Sequence, residues 1–238
     1  MKRKSTTAVI LIASLLLAIM AFDTWILFSQ MRRMTRQSGS FQLESVSGKL
    51  EATISEAEGV TMRTALKARE YLSDQEAFKE FIRERKEELL ADGSGAFNVY
   101  IADEEFVFIP DFDMPDDYVV TERVWYTGAA KEPGRTYVSS PYQDAMTGDI
   151  CYSVSVMLGD GRTVLGIDYT MENIQEYIHQ MGVNAVNAVI VTDEGIIAGC
   201  SDESMVGRKL LEVIPDYAGI YAGAKNREGV ATGRIKNG

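Results

Sequence analysis

The sequence has 238 residues and a formal net charge of −11, because 24 lysines and arginines face 35 aspartates and glutamates. Nucleic-acid binding is excluded as a function, since phosphate contacts need clustered basic side chains. A hydrophobic fraction of 46% is enough to bury a core, which excludes an intrinsically disordered chain. One histidine and two cysteines exclude a histidine-rich metal centre and a disulfide framework.

The charge is distributed unevenly along the chain. Residues 1–36 contain six basic residues and one acidic residue, a net charge of +5, whereas the remaining residues carry 18 basic and 34 acidic residues, a net charge of −16. Inside the basic part, residues 7–28 form an apolar stretch that is interrupted only by Ser14 and by the Asp23-Thr24 pair. The sequence therefore combines a basic, apolar N-terminus with a strongly acidic body.

Residues 7–28 are predicted to form a transmembrane anchor. At about 1.5 Å per residue, a helix of this length spans the roughly 30 Å hydrocarbon core of a bilayer. Three basic residues precede the stretch, which places residues 1–6 in the cytoplasm and the rest of the chain outside. A cleaved signal peptide is the alternative, but the stretch is long for one and lacks a small-residue cleavage site. Both interpretations carry the acidic body across the inner (plasma) membrane.

Two helices are predicted over residues 37–91. The first is a long stalk helix from residue 37 to about residue 71, with apolar residues at spacings of three and four. The stripe consists of Leu43, Val46, Leu50, Ile54 and Ala57. Because this stripe continues out of the membrane segment, it predicts a homodimer formed through the stalk. Ser73 is predicted to cap the second helix, with Glu76 completing a capping box.

A glycine-rich break at residues 92–95 separates these helices from a region with the period of β-strands. Strands are predicted at residues 96–102, 105–109, 136–140, 150–158 and 163–169. Asp103-Glu104 is predicted to close a hairpin, and residues 171–181 are predicted to form a helix. Helices followed by antiparallel strands indicate an α+β fold in which helices back the sheet. This module is predicted to occupy residues 92–182.

A second, smaller module of the same kind is predicted over residues 183–238. Two strands, 188–192 and 196–200, flank a turn at Asp193-Glu194-Gly195, and a helix follows at 204–213. The sequence ends before such a module can complete its sheet. We therefore expect an incomplete module and a sequence that is a fragment of a longer protein.

One cluster combines a single basic residue with aromatic and acidic residues. Its members are Tyr118, Arg123, Trp125, Tyr126, Tyr142, Asp144 and Asp168. Arg123 can bind a carboxylate through two parallel hydrogen bonds, and Asp144 and Asp168 can accept hydrogen bonds from an ammonium group. Aromatic faces add cation–π attraction. One fixed cation and two anions suit a zwitterion such as an α-amino acid.

The residue types leave an alternative open. In it, Arg123 pairs at the surface with Glu122, Asp116 or Asp117, and the aromatic residues belong to the core.

The sequence resembles the extracytoplasmic double Cache sensor domain of bacterial transmembrane receptors. The N-terminal anchor, the long helix and the strings RVWYTGA, TYVSSPYQDAMTGDICYSVS and VLGIDYT support the resemblance, which covers residues 37–236 and is strongest over residues 118–169. It implies a PAS-like membrane-distal module with a ligand pocket and a membrane-proximal module. A histidine kinase, a chemotaxis transducer or a diguanylate cyclase commonly follows such domains. The region itself is expected not to be an enzyme, whereas a full-length protein could carry a C-terminal histidine kinase or cyclase.

The amino-acid-binding branch of that family carries a Tyr-x4-Arg-x-Trp-Tyr string and a later Asp in its distal pocket. The resemblance implies that Arg123, Trp125, Tyr126 and Tyr142 hold the ligand carboxylate, and that Tyr118, Asp144 and Asp168 hold its amino group. The expected ligand is thus an α-amino acid or a related carboxylate-bearing amine.

No catalytic set, metal site or cofactor is predicted. The acidic segment 111–117 lacks the glycine and the distal glutamate of a calcium-binding EF-hand loop, and His179 has no partner at metal-ligand spacing. Cys151 and Cys200 are expected to be free buried thiols. The alternative function is a signal-anchored exported enzyme or an adhesion module in which the aromatic cluster is only core.

Overall fold

The computed structural model describes residues 2–115, 117–180 and 189–224, and it leaves out the side chains of residues 2–16, 18, 35–43 and 180. The chain divides into two compact units, residues 1–45 and 46–238. The first unit is the N-terminal part of helix α1 (Lys2–Ala68). Among the described side chains, no helix is both long enough and apolar enough to cross a membrane. Because residues 7–16 of the predicted anchor lie outside those side chains, the anchor stays a prediction.

The remainder of α1 packs against the core of the second unit. Leu50, Ile54 and Ala57 all contact this core, and Ala57 is buried. From Leu50 onward, the predicted apolar stripe therefore packs against the core of its own chain. Dimerisation through the stalk stays a prediction, and these three side chains no longer support it.

Helix α2 (Gln75–Asp92) begins one residue later than its predicted cap suggests. The capping residue is Asp74, whose carboxylate accepts a hydrogen bond from the Ala77 N–H at 3.1 Å. The prediction of Ser73 as the cap is wrong, because the helix starts where the side-chain oxygen reaches a free N–H of the first turn. Gly93 ends the helix with a left-handed φ of +70°.

The α+β prediction is confirmed, since an antiparallel sheet follows the two helices. Its strands are β1 (Ala96–Ala102), β2 (Val107–Phe108), β3 (Thr136–Val138), β4 (Tyr142–Gln143), β5 (Ile150–Met157) and β6 (Val164–Thr170). The strand order is β2-β1-β6-β5-β3, and β4 also pairs with β5. Helix α3 (Val124–Lys131) lies between β2 and β3 in sequence, and α4 (Glu172–Gln180) follows β6.

Alternation along the strands separates two hydrophobic clusters on the two faces of the sheet. Val99 and Ile101 of β1 join the larger cluster with helices α1 and α2. Tyr100 and Ala102 of the same strand join the smaller cluster, which contains Trp125 of α3. The sheet therefore presents its second face to α3, which contains the predicted site residue Trp125.

The second predicted module differs from its prediction in its helices. Strands β7 (Val189–Val191) and β8 (Ile197–Cys200) form the predicted hairpin, and the short helices α5 (Leu210–Val213) and α6 (Ala218–Ala224) follow. The helix predicted over 204–213 is wrong in its first half, because Gly207 adopts φ +79° and donates its N–H to the Ile197 carbonyl. The proposed boundary at residues 182/183 lies outside the described residues.

Residues before β4 and at the start of β5 contact the second predicted module. Ser140 Oγ donates hydrogen bonds to Glu194 and Thr192, and the Ile150 side chain packs over Gly207. The prediction of free buried thiols is confirmed for both cysteines, Cys151 in β5 and Cys200 in β8.

Candidate ligand-binding site

A cavity of about 120 Å³ lies between the second face of the sheet, the start of α3 and the β4–β5 turn. Six of the seven predicted site residues line it: Tyr118, Arg123, Trp125, Tyr142, Asp144 and Asp168. Six further lining residues are Tyr100, Ile109, Glu122, Val124, Ala145 and Met146. Residues far apart in sequence thus meet in one place, as the cluster predicted.

Tyr126 is the predicted site residue that the structure does not place in the cavity. Its hydroxyl donates a hydrogen bond to the Arg162 carbonyl at 3.2 Å, at the opposite end of strand β6 from Asp168. Adjacent helical residues point about 100° apart, and the rotation from Trp125 to Tyr126 directs the Tyr126 side chain to Arg162. The pocket role that the resemblance implied for Tyr126 therefore lacks support from the geometry.

Asp168 is the centre of a buried hydrogen-bond network. Its Oδ1 accepts hydrogen bonds from Ser153 Oγ at 2.6 Å, from the Tyr100 hydroxyl at 2.7 Å and from the Tyr142 hydroxyl at 3.2 Å. Asp168 is 2% exposed. Among the described residues, all hydrogen bonds to this carboxylate go to Oδ1, which leaves Oδ2 as an acceptor for a bound donor.

Tyr100 and Ser153 are site residues that sequence reasoning missed. In the sheet, Ser153 of β5 lies directly opposite Asp168, and Tyr100 of β1 lies opposite Gly166, two residues before Asp168. Side chains on opposed and next-but-one positions share a face. Alternation along a strand shows which of its side chains share a face. It does not show which strands are neighbours, so it could not bring Tyr100 and Ser153 to Asp168.

Burial raises the pKa of Asp168 to about 7, although the hydrogen bonds from Ser153 and Tyr100 oppose the shift. Burial also raises the pKa values of Tyr100 and Tyr142, and the nearby Asp168 carboxylate adds to both shifts. The two phenols therefore stay protonated and donate to Asp168. The carboxylate gains a proton or a bound cation at little cost near neutral pH.

Arg123 supplies the cation of the cavity. Its guanidinium carbon lies 4.2 Å from the centroid of the Tyr118 ring, and its buried Nε has no hydrogen-bond partner among the residues that the structure describes. No carboxylate of the described residues, which leave out Asp116, lies within ion-pair distance of it. The alternative that pairs Arg123 with Glu122 or Asp117 at the surface is thus not observed.

Asp144 closes the cavity from the β4–β5 turn. It is 8% exposed, and its Oδ1 accepts backbone N–H groups of Met146 at 3.1 Å and Thr147 at 2.7 Å. An Asx turn of this kind holds the side chain in one orientation. Asp144 is therefore a positioned second carboxylate beside Asp168.

The contacts place Tyr142 and Tyr118 on opposite sides of the cavity from those that the resemblance implied. Tyr142 hydrogen-bonds to Ser153 and Asp168, on the acidic side of the cavity. Tyr118 stacks on Arg123, on the basic side. The cavity thus has an anionic side and a cationic side, and aromatic rings line both. Opposed fixed charges of this kind match the two ends of a zwitterion.

No protein-family model matches the chain. It is 32% identical over 90 residues to a probable methyl-accepting chemotaxis protein of Bacillus thuringiensis, covering 38% of this chain and 14% of that protein. It is 34% identical over 85 residues to the methyl-accepting chemotaxis protein TlpB of Bacillus subtilis, covering 36% of this chain and 13% of that protein. The chain thus matches about one seventh of the length of these relatives.

The fold is similar to solved ligand-binding domains of chemoreceptors. The domain of Pseudomonas fluorescens CtaA, solved with L-valine, matches with a TM-score of 0.61 and 20% identity, over 74% of this chain and 79% of that one. The domain of Pseudomonas aeruginosa PctB, solved with L-Arg, matches with a TM-score of 0.59 and 18% identity, over 72% and 73%. The resemblance to a Cache-type receptor sensor domain is therefore confirmed for the fold.

Proposed function

We propose that this chain is the extracytoplasmic sensing region of a bacterial chemoreceptor and that its cavity binds an α-amino acid. One observation carries the proposal: Arg123, with a buried and unpartnered Nε, shares a small cavity with Asp168, whose hydrogen bonds all go to one oxygen. Both groups have capacity left for a ligand, and burying unsatisfied polar groups without one is costly. The chemotaxis relatives and the amino-acid complexes of similar folds support the same function.

In this proposal the ligand carboxylate binds Arg123, with Tyr118 and Trp125 beside it. The ammonium group binds Asp168 and Asp144, and Tyr142, Tyr100 and Ser153 orient Asp168. Tyr126 is left out, since its hydroxyl bonds to the Arg162 carbonyl.

The test is a thermal-shift titration of the purified chain with each common amino acid. A ligand at a hundred times its Kd is expected to stabilise the chain by about 2.7 kcal/mol. The shift should disappear in Arg123→Ala and in Asp168→Ala. Arg135→Ala is the control, since Arg135 is exposed and pairs with Glu132 outside the cavity. An equal response to simple amines without a carboxylate would contradict the role of Arg123.

Affinity for the amino acid is expected to fall as the pH drops below about 7. The ammonium group pairs with an ionised Asp168, whose pKa is about 7 in the empty cavity. Each pH unit below that value should weaken binding by up to about tenfold. Calorimetry between about pH 5.5 and pH 8 measures this, and binding at about pH 6.5 should release a proton whose buffer-dependent heat is detectable. An affinity that is constant over this range would show that Asp168 does not hold the ammonium group.

The membrane arrangement is part of the proposal. Residues 7–28 would anchor the chain, with residues 1–6 in the cytoplasm and the acidic body outside, and the receptor would act as a homodimer. Supporting the anchor, large apolar side chains of the described segment are exposed, including Phe22, Trp25 and Leu27. Labelling of single cysteines introduced at positions 5 and 48 in intact cells tests the orientation, since only the second should react with an impermeant reagent.

A further inference from the structure

We infer that the cavity selects a neutral α-amino acid with a small aliphatic side chain, such as alanine or valine. This inference rests on the proposed function and concerns the part of the ligand that the charged groups do not hold. It follows from three features of the lining: its apolar wall, its charge and its volume.

The wall left over after the charged groups are assigned is apolar. Arg123, Asp144 and Asp168 account for the two ends of a zwitterion. Nine described lining residues remain: Glu122, four aromatic residues and four that are aliphatic or contain a thioether, namely Ile109, Val124, Ala145 and Met146. Apolar surface of this kind gains from covering an aliphatic side chain and leaves a polar one without hydrogen-bond partners.

The charge of the lining disfavours acidic side chains. Glu122, Asp144 and Asp168 line the cavity together with the single cation Arg123. A ligand carboxylate at the α-position already occupies Arg123, so a second ligand carboxylate would meet only like charges. Like-charge contacts are a common source of discrimination between ligands that otherwise fit.

The volume of the cavity limits the length of the side chain. The cavity volume is about 120 Å³. The ammonium, α-carbon and carboxylate of any amino acid take up much of this space. Basic side chains would be attracted by Glu122, but they are too long for the remaining space, and aromatic side chains are too wide.

The test is calorimetric titration of the chain with glycine, alanine, valine, leucine, phenylalanine, aspartate, glutamate, lysine and arginine. Alanine or valine should bind at least about tenfold more tightly than phenylalanine, the acidic pair and the basic pair. Equal or tighter binding of an aromatic, acidic or basic amino acid would overturn this inference and leave the proposed function intact. Binding of none of them would overturn both.

Two variants change the selectivity in stated directions. Met146→Ala should enlarge the apolar side of the cavity and move the preference towards leucine, by about tenfold in the leucine-to-alanine affinity ratio. Glu122→Gln should reduce the ratio of the alanine affinity to the aspartate affinity several-fold, because it removes one of the negative charges that repel aspartate. Glu132→Gln is the matched control, because Glu132 lies outside the cavity and pairs with Arg135. If the affinity ratios stayed unchanged in both cavity variants, Met146 and Glu122 would not determine selectivity and the inference would be overturned.

Discussion

Replacing Asp168 by asparagine is expected to abolish amino-acid binding while making the empty domain more stable at about pH 8. The variant keeps an oxygen that accepts hydrogen bonds from Tyr100, Ser153 and Tyr142. It removes the negative charge that the ammonium group needs. Removal of one partner of a buried, hydrogen-bonded charge pair costs about 2–5 kcal/mol, so we expect affinity to fall at least about thirtyfold.

The stability effect has the opposite sign because the pKa of Asp168 is raised on folding. The ordinary value is 3.8 and the folded value is about 7, so the unfolded chain releases this proton first as the pH rises. Stability of the empty wild-type domain therefore falls between about pH 4 and pH 7, by up to about 4 kcal/mol from this group. Asparagine does not titrate, so the variant has no such loss of stability. Its free energy of unfolding should exceed that of the wild type by about 1–3 kcal/mol at pH 8 and should differ little at pH 4.

Urea unfolding at both pH values, with calorimetry for the ligand, measures the two effects. Asp103→Asn is the matched control, because Asp103 is buried at the end of β1 and accepts two hydrogen bonds from Arg162, the shorter at 2.6 Å. This variant should lose stability at pH 8 and keep its ligand affinity. An Asp168→Asn variant that unfolds more easily at pH 8, or that still binds alanine, would contradict our account of the network.

Replacing Gly166 by alanine is expected to damage both the fold and the site. A Cβ at position 166 would lie 2.4 Å from Cε2 and 2.8 Å from the hydroxyl oxygen of Tyr100. The Tyr100 ring is 1% exposed and packs edge-to-face on Trp125 with centroids 4.7 Å apart, so it has little space to move. Overpacking of this kind costs about 1–3 kcal/mol, and a displaced Tyr100 no longer orients Asp168.

A double-mutant cycle distinguishes destabilisation by the clash with Tyr100 from a general destabilisation of strand β6. Tyr100→Ala in the Gly166→Ala background removes the colliding ring, so the two destabilisations should sum to more than the measured total by at least about 0.5 kcal/mol. Gly48→Ala is the matched control, because nothing lies within 4 Å of the added carbon in helix α1. That substitution should stabilise the chain slightly. Simple additivity in the cycle would show that Tyr100 does not depend on Gly166.

Residues 140–150, which include the β4–β5 turn, contact both the cavity and the second predicted module. Tyr142 and Asp144 line the cavity, Ser140 bonds to Glu194, and Ile150 packs over Gly207. A ligand can shift the balance between two states of this turn only through its different affinity for them. Residues 140–150 therefore include residues that line the cavity and residues that contact the second predicted module.

Sequence patterns predicted the class of each main element because the patterns are local. The apolar runs of residues 96–102 and 163–169 matched strands, since one or both faces of each must be buried wherever the strand lies. The boundaries were less predictable. Asp74 rather than Ser73 caps α2, and Gly207 interrupts the last predicted helix, because each depends on which N–H groups find partners in the folded chain.

The amino-acid sequence by itself determined the charge contrast between the two ends of the chain, the α+β order and the set of chemical groups available for a ligand. Only the tertiary structure decided which of those groups meet. Strand pairing brought Tyr100 and Ser153 to Asp168, and the helical turn between Trp125 and Tyr126 directed one into the cavity and the other to Arg162. The physical reason is that composition and period act along the chain, whereas a binding site depends on register and rotation between elements far apart in it.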